Sequence, residues 1–309
     1  MNNLPGAFGK AATSYDEAAV LARETVARMD ERLSLTKIQP KRIADIGCAT
    51  GDGVRALQRR YPTAQAIAID YATPMLQNVR AKSGRIARLT RKVPQLINAN
   101  ANALPLAAQS IGLVWSNLML HWLDDPLPAL REMHRVLEVG GLVMFTAFGP
   151  DTLKELRVAM NPPVGAGAES RLSTAEPLHG REAVLRETPV PPPSNPTLRS
   201  FIDMHDLGDM LMAAGFADPV MDMEMISLTY SHPRKFLADQ RHLGVRNALL
   251  GRQAWQTWRK VFANWPQSVE GRFPMSFEII YGHAWKPAPR ASNTDHAVMH
   301  FHRRETVKL

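Results

Sequence analysis

Cysteine is nearly absent from this sequence, since Cys48 is the only one in 309 residues. A single thiol excludes an intrachain disulfide and cannot supply a thiolate cluster for a metal. No stretch approaches the ~20 consecutive apolar residues of a membrane span, and residues 1–10 lack the apolar core of a secretory signal. No group of histidines or carboxylates has the spacing of metal ligands. We therefore expect a protein of a reducing, cytoplasmic compartment that uses neither a metal nor a membrane.

Acidic residues are scarce in the C-terminal part of the chain. Residues 1–230 carry 24 basic and 24 acidic side chains, whereas residues 231–309 carry 13 and 5, so the whole net charge of +8 lies after residue 230. Such asymmetry indicates an acidic partner, either a protein or a nucleic acid, although a solvated basic face would give the same count. Tryptophans do not alternate regularly with the basic residues there, so we do not expect nucleic acid.

The segment 42–53, RIADIGCATGDG, joins a short apolar run to a glycine-rich turn. The run is typical of a buried parallel strand. Gly47, Gly51 and Gly53 allow the backbone to turn sharply and to approach a ligand without a Cβ in the way. A dinucleotide-binding loop formally fits G-x-G-x-x-A, but its first glycine pair should follow the strand at once. The spacing D-x-G-x-x-x-G-x-G instead resembles motif I of class I S-adenosylmethionine (SAM) methyltransferases.

Strands and helices alternate throughout 41–148, and two later strands are predicted at 220–230 and 276–285. This order predicts an α/β fold with a doubly wound, mostly parallel sheet and an antiparallel C-terminal strand pair. With the motif I resemblance, we expect the seven-stranded, Rossmann-like sheet of class I methyltransferases. The predicted organisation is an N-terminal lid helix (1–36), a SAM-binding core (37–160), a flexible Pro/Gly-rich insertion (161–199), the C-terminal part of the methyltransferase domain with basic helices (200–287) and a disordered tail (288–309).

The predicted lid begins with Ser14-Tyr15-Asp16-Glu17, which has the pattern of a capping box. Apolar positions farther along predict one continuous helix over 15–33 with a buried stripe.

Ligands of an open parallel sheet bind at the carboxyl ends of its strands. Asp70 ends the second predicted strand, where its carboxylate can accept hydrogen bonds from two ribose hydroxyls or cap the next helix. Asn100 stands where methyltransferases usually place an aspartate for the adenine amino group. Asn117 ends the fourth strand, either beside the sulfonium or as a turn residue. The full set of predicted cofactor contacts is Asp45, Gly47, Cys48, Gly51, Asp70, Met75, Asn100, Ala101 and Asn117.

Cysteine and histidine are two other residue types that could carry chemistry. Cys48 is interpreted as a packing residue of the loop, because no adjacent base would activate it. His121 and His205 lie closest to the predicted cleft among the ten histidines. Each is a candidate for substrate contact, with an ordinary structural histidine as the alternative.

Six segments together resemble the malonyl-[acyl-carrier protein] O-methyltransferases of biotin biosynthesis. They are FGKAATSYDEAAVLAR (8–23), SNLMLHW (116–122), FGPDTLKELR (148–157), FIDMHDLGDML (201–211), GFADPVMDME (215–224) and YGHAWKP (281–287). The resemblance covers nearly all of residues 8–287 apart from 161–199, which is longer than expected for the family. A related branch, which includes a mitochondrial respiratory-complex assembly factor, shares FG-x-DTL-x-ELR and leaves a function outside biotin synthesis open.

The resemblance implies methyl transfer from SAM to the free carboxylate of malonyl-acyl carrier protein. That carboxylate is already ionised at pH 7, so no general base is required. Tyr15 is the candidate lid residue. The acidic carrier would meet Arg234, Lys235, Arg241 and Arg246. The alternatives are a SAM methyltransferase with another acceptor (a small carboxylate, a quinone or RNA) and a SAM-binding assembly factor without methyl transfer.

Overall fold

The computed structural model describes residues 4–84, 93–160, 198–251 and 253–289. Seven strands in this part of the chain form one sheet, ordered β3-β2-β1-β4-β5-β7-β6. The first five strands are parallel, and β7 pairs antiparallel with both β5 and β6. The predicted fold class is therefore confirmed. The strands are β1 (Arg42–Ile46), β2 (Gln65–Asp70), β3 (Gln95–Asn98), β4 (Ile111–Ser116), β5 (Leu137–Phe148), β6 (Ala217–Tyr230) and β7 (Phe273–Trp285).

Helices cover both faces of the sheet because neighbouring strand residues alternate between two apolar layers. Met144, for example, packs in one layer with Met29 and Leu57, whereas Phe145 packs in the other with Leu130. The helices are α1 (Leu4–Ala11), α2 (Tyr15–Ala18), α3 (Val20–Leu33), α4 (Asp52–Arg60), α5 (Thr73–Lys82), α6 (Leu127–Val136), α7 (Lys154–Met160), α8 (Met204–Ala213), α9 (Pro233–His242), α10 (Arg246–Leu250) and α11 (Trp255–Ala263), with a 3-10 turn at Leu120–Trp122.

The N-terminal region differs from the prediction of one helix over 15–33. The helix is interrupted at Ala19, which separates α2 from α3. Ser14 precedes α2 but does not cap it, because its hydroxyl donates to the carbonyls of Ala11 and His242. Helix α1 was not predicted, since its sequence LPGAFGKA contains proline and two glycines. Tertiary packing overrides that propensity: Phe8 contacts Trp122, with 6.1 Å between ring centroids.

The predicted insertion 161–199 is corrected at its C-terminal end. Residues 161–197 lie outside the described part of the chain, as do residues 290–309 of the predicted tail. Arg199, however, is part of the packed structure. Its guanidinium donates to the carbonyls of His121 (2.9 Å) and Leu123 (3.0 Å), and its amide donates to the carbonyl of Leu249 (3.0 Å).

We expect Arg199→Ala to lower the free energy of unfolding by about 1–3 kcal/mol, because carbonyls that accept from its guanidinium would lose their partner. Urea denaturation measures the loss. Arg259→Ala, which removes an exposed arginine of α11, is the control and should change the free energy by less than about 0.5 kcal/mol. Equal effects of the two substitutions would contradict the structural role of Arg199.

Candidate functional site

A cavity of about 400 Å³ opens at the carboxyl ends of β1, β2 and β4. This is the switch point of the sheet, because β1 lies between β2 and β4 and the chain leaves it in opposite directions. The loop after β1 forms the floor, and Asp70 at the end of β2 forms one side. Phe8 and Tyr15 from the N-terminal helices line the cavity as well. The sheet therefore brings together residues that are far apart in sequence.

The glycines of the loop serve different purposes. Gly47 has a φ of +76°, and a Cβ there would lie 2.4 Å from Cγ of Met119. Gly51 also has a positive φ, +88°, at the start of α4, but it does not line the cavity and a Cβ there would meet Val79 at 3.0 Å. Gly53 does line the cavity. Gly51 was predicted to let a ligand approach the backbone closely. The structure instead explains this glycine by its positive φ, which a residue with a Cβ adopts rarely.

Asp70 holds the loop with both oxygens of its carboxylate. Oδ2 accepts from the amide of Ala49 at 2.9 Å, and Oδ1 accepts from the amide of Ala72 at 2.8 Å. Burial raises the pKa of Asp70, and these backbone bonds oppose that shift. Because a carboxylate offers about four acceptor positions, Asp70 keeps capacity for a ligand hydroxyl.

Asp45 lies beneath the loop and is only 2% exposed. Burial raises its pKa to about 7, against a lowering contribution from a hydrogen bond of the Val54 amide. Its Oδ2 atom is buried without a hydrogen-bond partner in the described structure. A Cβ on Gly53 would lie 2.6 Å from that atom, so the glycine lets α4 begin directly above the carboxylate.

The remaining predicted cofactor contacts all line the cavity. The side chains of two of them already form hydrogen bonds with other residues of the protein. Asn100 accepts from the amide of Asn102 at 2.9 Å. Asn117 donates to the carbonyl of Ala22 at 3.0 Å and accepts from the hydroxyl of Thr146 at 2.7 Å, so its amide ties α3 to β5. The others are Met75, Ala101 and Cys48, and burial raises the pKa of the Cys48 thiol.

The two candidate histidines lie outside this cavity. His205 is exposed near the start of α8 and bonds to Asp203, so its predicted place in the cleft is wrong. His121 is buried against Phe148, with 4.1 Å between ring centroids, and its Nδ1 accepts from the amide of Phe148. Burial lowers the pKa of His121, with the charge of Arg199 adding to the effect. The ring is therefore neutral at pH 7.

Helix α2 is fastened to its surroundings on two sides. The carboxylate of Asp16 accepts from the hydroxyl of Thr50 at 2.6 Å and pairs with Lys82 at 2.5 Å. Glu17 approaches Nδ1 of His242 at 3.4 Å on the other side. Tyr15 is the first residue of this helix, and it lines the cavity. Burial, followed by the charge of Asp70, raises the pKa of Tyr15, which keeps its hydroxyl protonated.

A smaller inner cavity adjoins the main one and was missed by the sequence analysis. Its volume is about 70 Å³, and it shares Tyr15 and Trp122 with the main cavity. His121 from the 3-10 turn and Gln240 from α9 also line it. No local pattern marks Gln240, because only the packing of α9 against α2 brings it here.

The described ranges show neither a metal site nor a membrane helix. They contain no group of three or more His, Cys, Asp or Glu side chains placed to hold a metal ion. None of their helices combines the length and the apolar character needed to cross a bilayer.

Comparison with known proteins decides the family. A family model described as a methyltransferase domain matches residues 44–145. Over 299 residues the chain is 41% identical to the malonyl-[acyl-carrier protein] O-methyltransferase of Gallionella capsiferriformans (strain ES-2), with 95% of this chain and 93% of that relative covered. It is 42% identical over 299 residues to the protein of the same name from Laribacter hongkongensis (strain HLHK9), with 94% and 90% covered. The chain belongs to the malonyl-[acyl-carrier protein] O-methyltransferase family.

Solved structures support the fold. The YcgJ protein of Bacillus subtilis superposes with a TM-score of 0.53 at 12% identity, covering 84% of this chain and 98% of that one. Phosphoethanolamine N-methyltransferase 2 of Haemonchus contortus gives 0.50 at 15% identity, covering 91% and 58%, in a complex that contains S-adenosylhomocysteine. Identities this low show the fold alone. Family membership makes SAM the cofactor and removes the dinucleotide alternative.

The buried Asp45 predicts a pH dependence of stability. Its folded-state pKa of about 7 lies above the unfolded value of about 3.9. Between these values the folded state holds a proton that the unfolded state releases, so this group makes the free energy of unfolding fall as pH rises from about 4 to 7. Asp45→Asn removes that titration. We therefore expect the variant to gain stability relative to the wild type between pH 5 and pH 7.5.

Urea denaturation at pH 5, 6 and 7.5 without cofactor tests this expectation. Asp209→Asn removes an exposed carboxylate and provides the reference for a surface substitution. A difference between Asp45→Asn and the wild type that does not change with pH would show that the carboxylate is not perturbed by burial.

Proposed function

We propose that this protein transfers a methyl group from SAM to the free carboxylate of a malonyl thioester carried by an acyl carrier protein, an early step in biotin synthesis. The observation that carries the proposal is its identity of 41% and 42% to two proteins of that name along nearly their whole length. The cavity at the switch point supports it, because a glycine-containing loop and a carboxylate lie where a nucleoside would bind.

The residues around the main cavity suit the parts of SAM. Asp70 would accept from the ribose hydroxyls, and the loop at Gly47–Ala49 would lie along the methionine portion. Met75 and Ala101 would pack against the adenine, with Asn100 at its edge. Each of these residues lines the cavity. Bound SAM supplies an electrophilic methyl group on a sulfonium.

The protein contributes alignment and the exclusion of water to the reaction. A malonyl carboxylate is ionised at pH 7 and needs no proton removed. The groups near the cavity agree with that requirement, since the Tyr15 hydroxyl stays protonated and His121 lies outside the main cavity. Phe8, Tyr15 and Trp122 instead present apolar surface that would exclude water from the acceptor.

Asp70→Ala should weaken SAM binding by about 1.5–3 kcal/mol, the contribution of a hydrogen bond to a charged group. Isothermal titration calorimetry measures the affinity, and circular dichroism checks that the variant is folded. Asp209→Ala on α8 is a matched control, because it also removes a carboxylate but lies away from the cavity. Unchanged affinity in a folded Asp70→Ala protein would remove this residue from the cofactor site.

The proposed carrier surface is the outer side of α9 with the start of α10. Arg234, Lys235 and Arg241 are exposed there, and Arg246 is half-buried. Burial, then the charge of Arg241, lowers the pKa of Arg246, so these two arginines lie close enough to repel each other. None of the four forms an ion pair with another residue in the described ranges. A cluster of positive side chains without ion pairs favours an acidic protein.

Helix α9 connects this surface to the site. Its outer side carries the basic residues, while its inner side buries Phe236, Leu237 and Gln240. A carrier bound outside would therefore hold its acyl arm next to the inner cavity. This arrangement supports carrier-bound malonate over a free small carboxylate as the acceptor.

Replacing both Arg241 and Arg246 by Glu should raise KM for malonyl carrier protein and leave SAM affinity unchanged. Rates on a short soluble malonyl thioester should also persist, because that substrate does not contact the basic surface. Added salt should reproduce the effect on the carrier substrate, since exposed charges are screened over about 8–10 Å at physiological ionic strength.

The matched control replaces Arg59 and Arg131 by Glu. These are exposed arginines on α4 and α6, so the control changes the net charge by the same amount. Equal losses on both substrates would place Arg241 and Arg246 in the active site or the folding core. Equal losses in the control variant would attribute the effect to net charge.

A further inference from the structure

The wall of the inner cavity contains a glutamine amide to which no described residue is hydrogen-bonded. Gln240 is 4% exposed and lines the cavity, but its side chain makes no hydrogen bond to any described residue. An amide enclosed in such a wall costs free energy unless a partner satisfies it. Leucine would fill the same position on α9 without that cost. The amide therefore indicates a ligand.

A second unpaired donor belongs to a residue of the same wall. Nδ1 of His121 accepts the amide hydrogen of Phe148, so the proton of the neutral ring is on Nε2. That Nε2 is buried and has no partner in the part of the chain described. His121 and Gln240 both line the inner cavity although they are distant in sequence. Two independent polar groups thus lack partners at one place.

We propose that the inner cavity binds the acyl group of the acceptor, and that Gln240 and His121 hold its carboxylate through neutral hydrogen bonds. The inference rests on the proposed function and assigns specificity within it. The inner cavity suits this role because Tyr15 and Trp122 belong to its wall and to the wall of the cofactor cavity. A carboxylate bound there would lie beside the cofactor site.

The residues of the wall indicate that uncharged donors would bind the acyl carboxylate. Within the described ranges, no lysine or arginine lines the inner cavity. Asp239 is an acidic residue of this wall, and it bonds to the hydroxyl of Tyr230 and lies near the charge of Lys235. A salt bridge would neutralise the attacking carboxylate, whereas neutral donors orient it and leave its charge. Apolar neighbours such as Leu243 and Phe277 would remove its water.

Binding of two thioesters tests the proposal without turnover. Malonyl-pantetheine and acetyl-pantetheine differ by the carboxylate, and calorimetry in the presence of S-adenosylhomocysteine compares them. In Gln240→Leu, we expect malonyl binding to weaken roughly 10- to 150-fold, the range for a hydrogen bond to a charged group. Acetyl binding and cofactor affinity should not change. His121→Phe keeps a stacked ring but removes Nε2–H, and it should lose malonyl selectivity likewise.

Two controls separate this role from a structural one. Gln256→Leu makes the same change at an exposed position on α11 and should change neither affinity. The melting temperature of Gln240→Leu should stay equal or rise, because the variant loses no hydrogen bond to a described residue and places an apolar side chain in the wall. A variant with wild-type preference for malonyl over acetyl would overturn the proposal, as would equal weakening of both.

Failure of the proposed function gives a different result. A wild-type protein that binds SAM but methylates no malonyl thioester would contradict that function. The selectivity of the inner cavity for a carboxylate is still measured by the binding comparison in that case.

Discussion

The hydrogen bonds of Asp70 are the interaction on which the site depends. One carboxylate joins the loop after β1 to the end of β2 and the start of α5, through the amides of Ala49 and Ala72. This fixes the loop as the floor of the main cavity. Helix α2 then attaches to the same loop through Asp16 and Thr50. A change at Asp70 would therefore disturb the cofactor site and its cover together.

Helix α2 also links the cofactor site to the basic surface. Ser14 and Glu17 contact His242 at the end of α9, while Tyr15 faces both cavities. The arrangement gives a physical reason for placing carrier recognition and acyl binding on one helix. Charge on the outer side of α9 would select the carrier, and the buried amide on its inner side would select the acyl group.

Local patterns were sufficient to predict the sheet and the strand-end residues. The apolar runs and glycines predicted β1, β2 and β4. Asp70 could then be placed in the site, because the carboxyl ends of parallel strands lie at one edge of the sheet. Local patterns failed where long-range packing decides the outcome. Helix α1 forms by packing on its neighbours in spite of its weak helix propensity. The side chain of Asn117 is already hydrogen-bonded to Ala22 and Thr146. Gln240 had no visible signal for the same reason.

The most direct test of the account is the mass of malonyl-acyl carrier protein after incubation with the wild-type protein and SAM. We expect the malonyl carrier to gain the mass of one methyl group, while acetyl-carrier protein gains none. A malonyl carrier that stays unmodified in the presence of a protein with intact SAM binding would contradict the account.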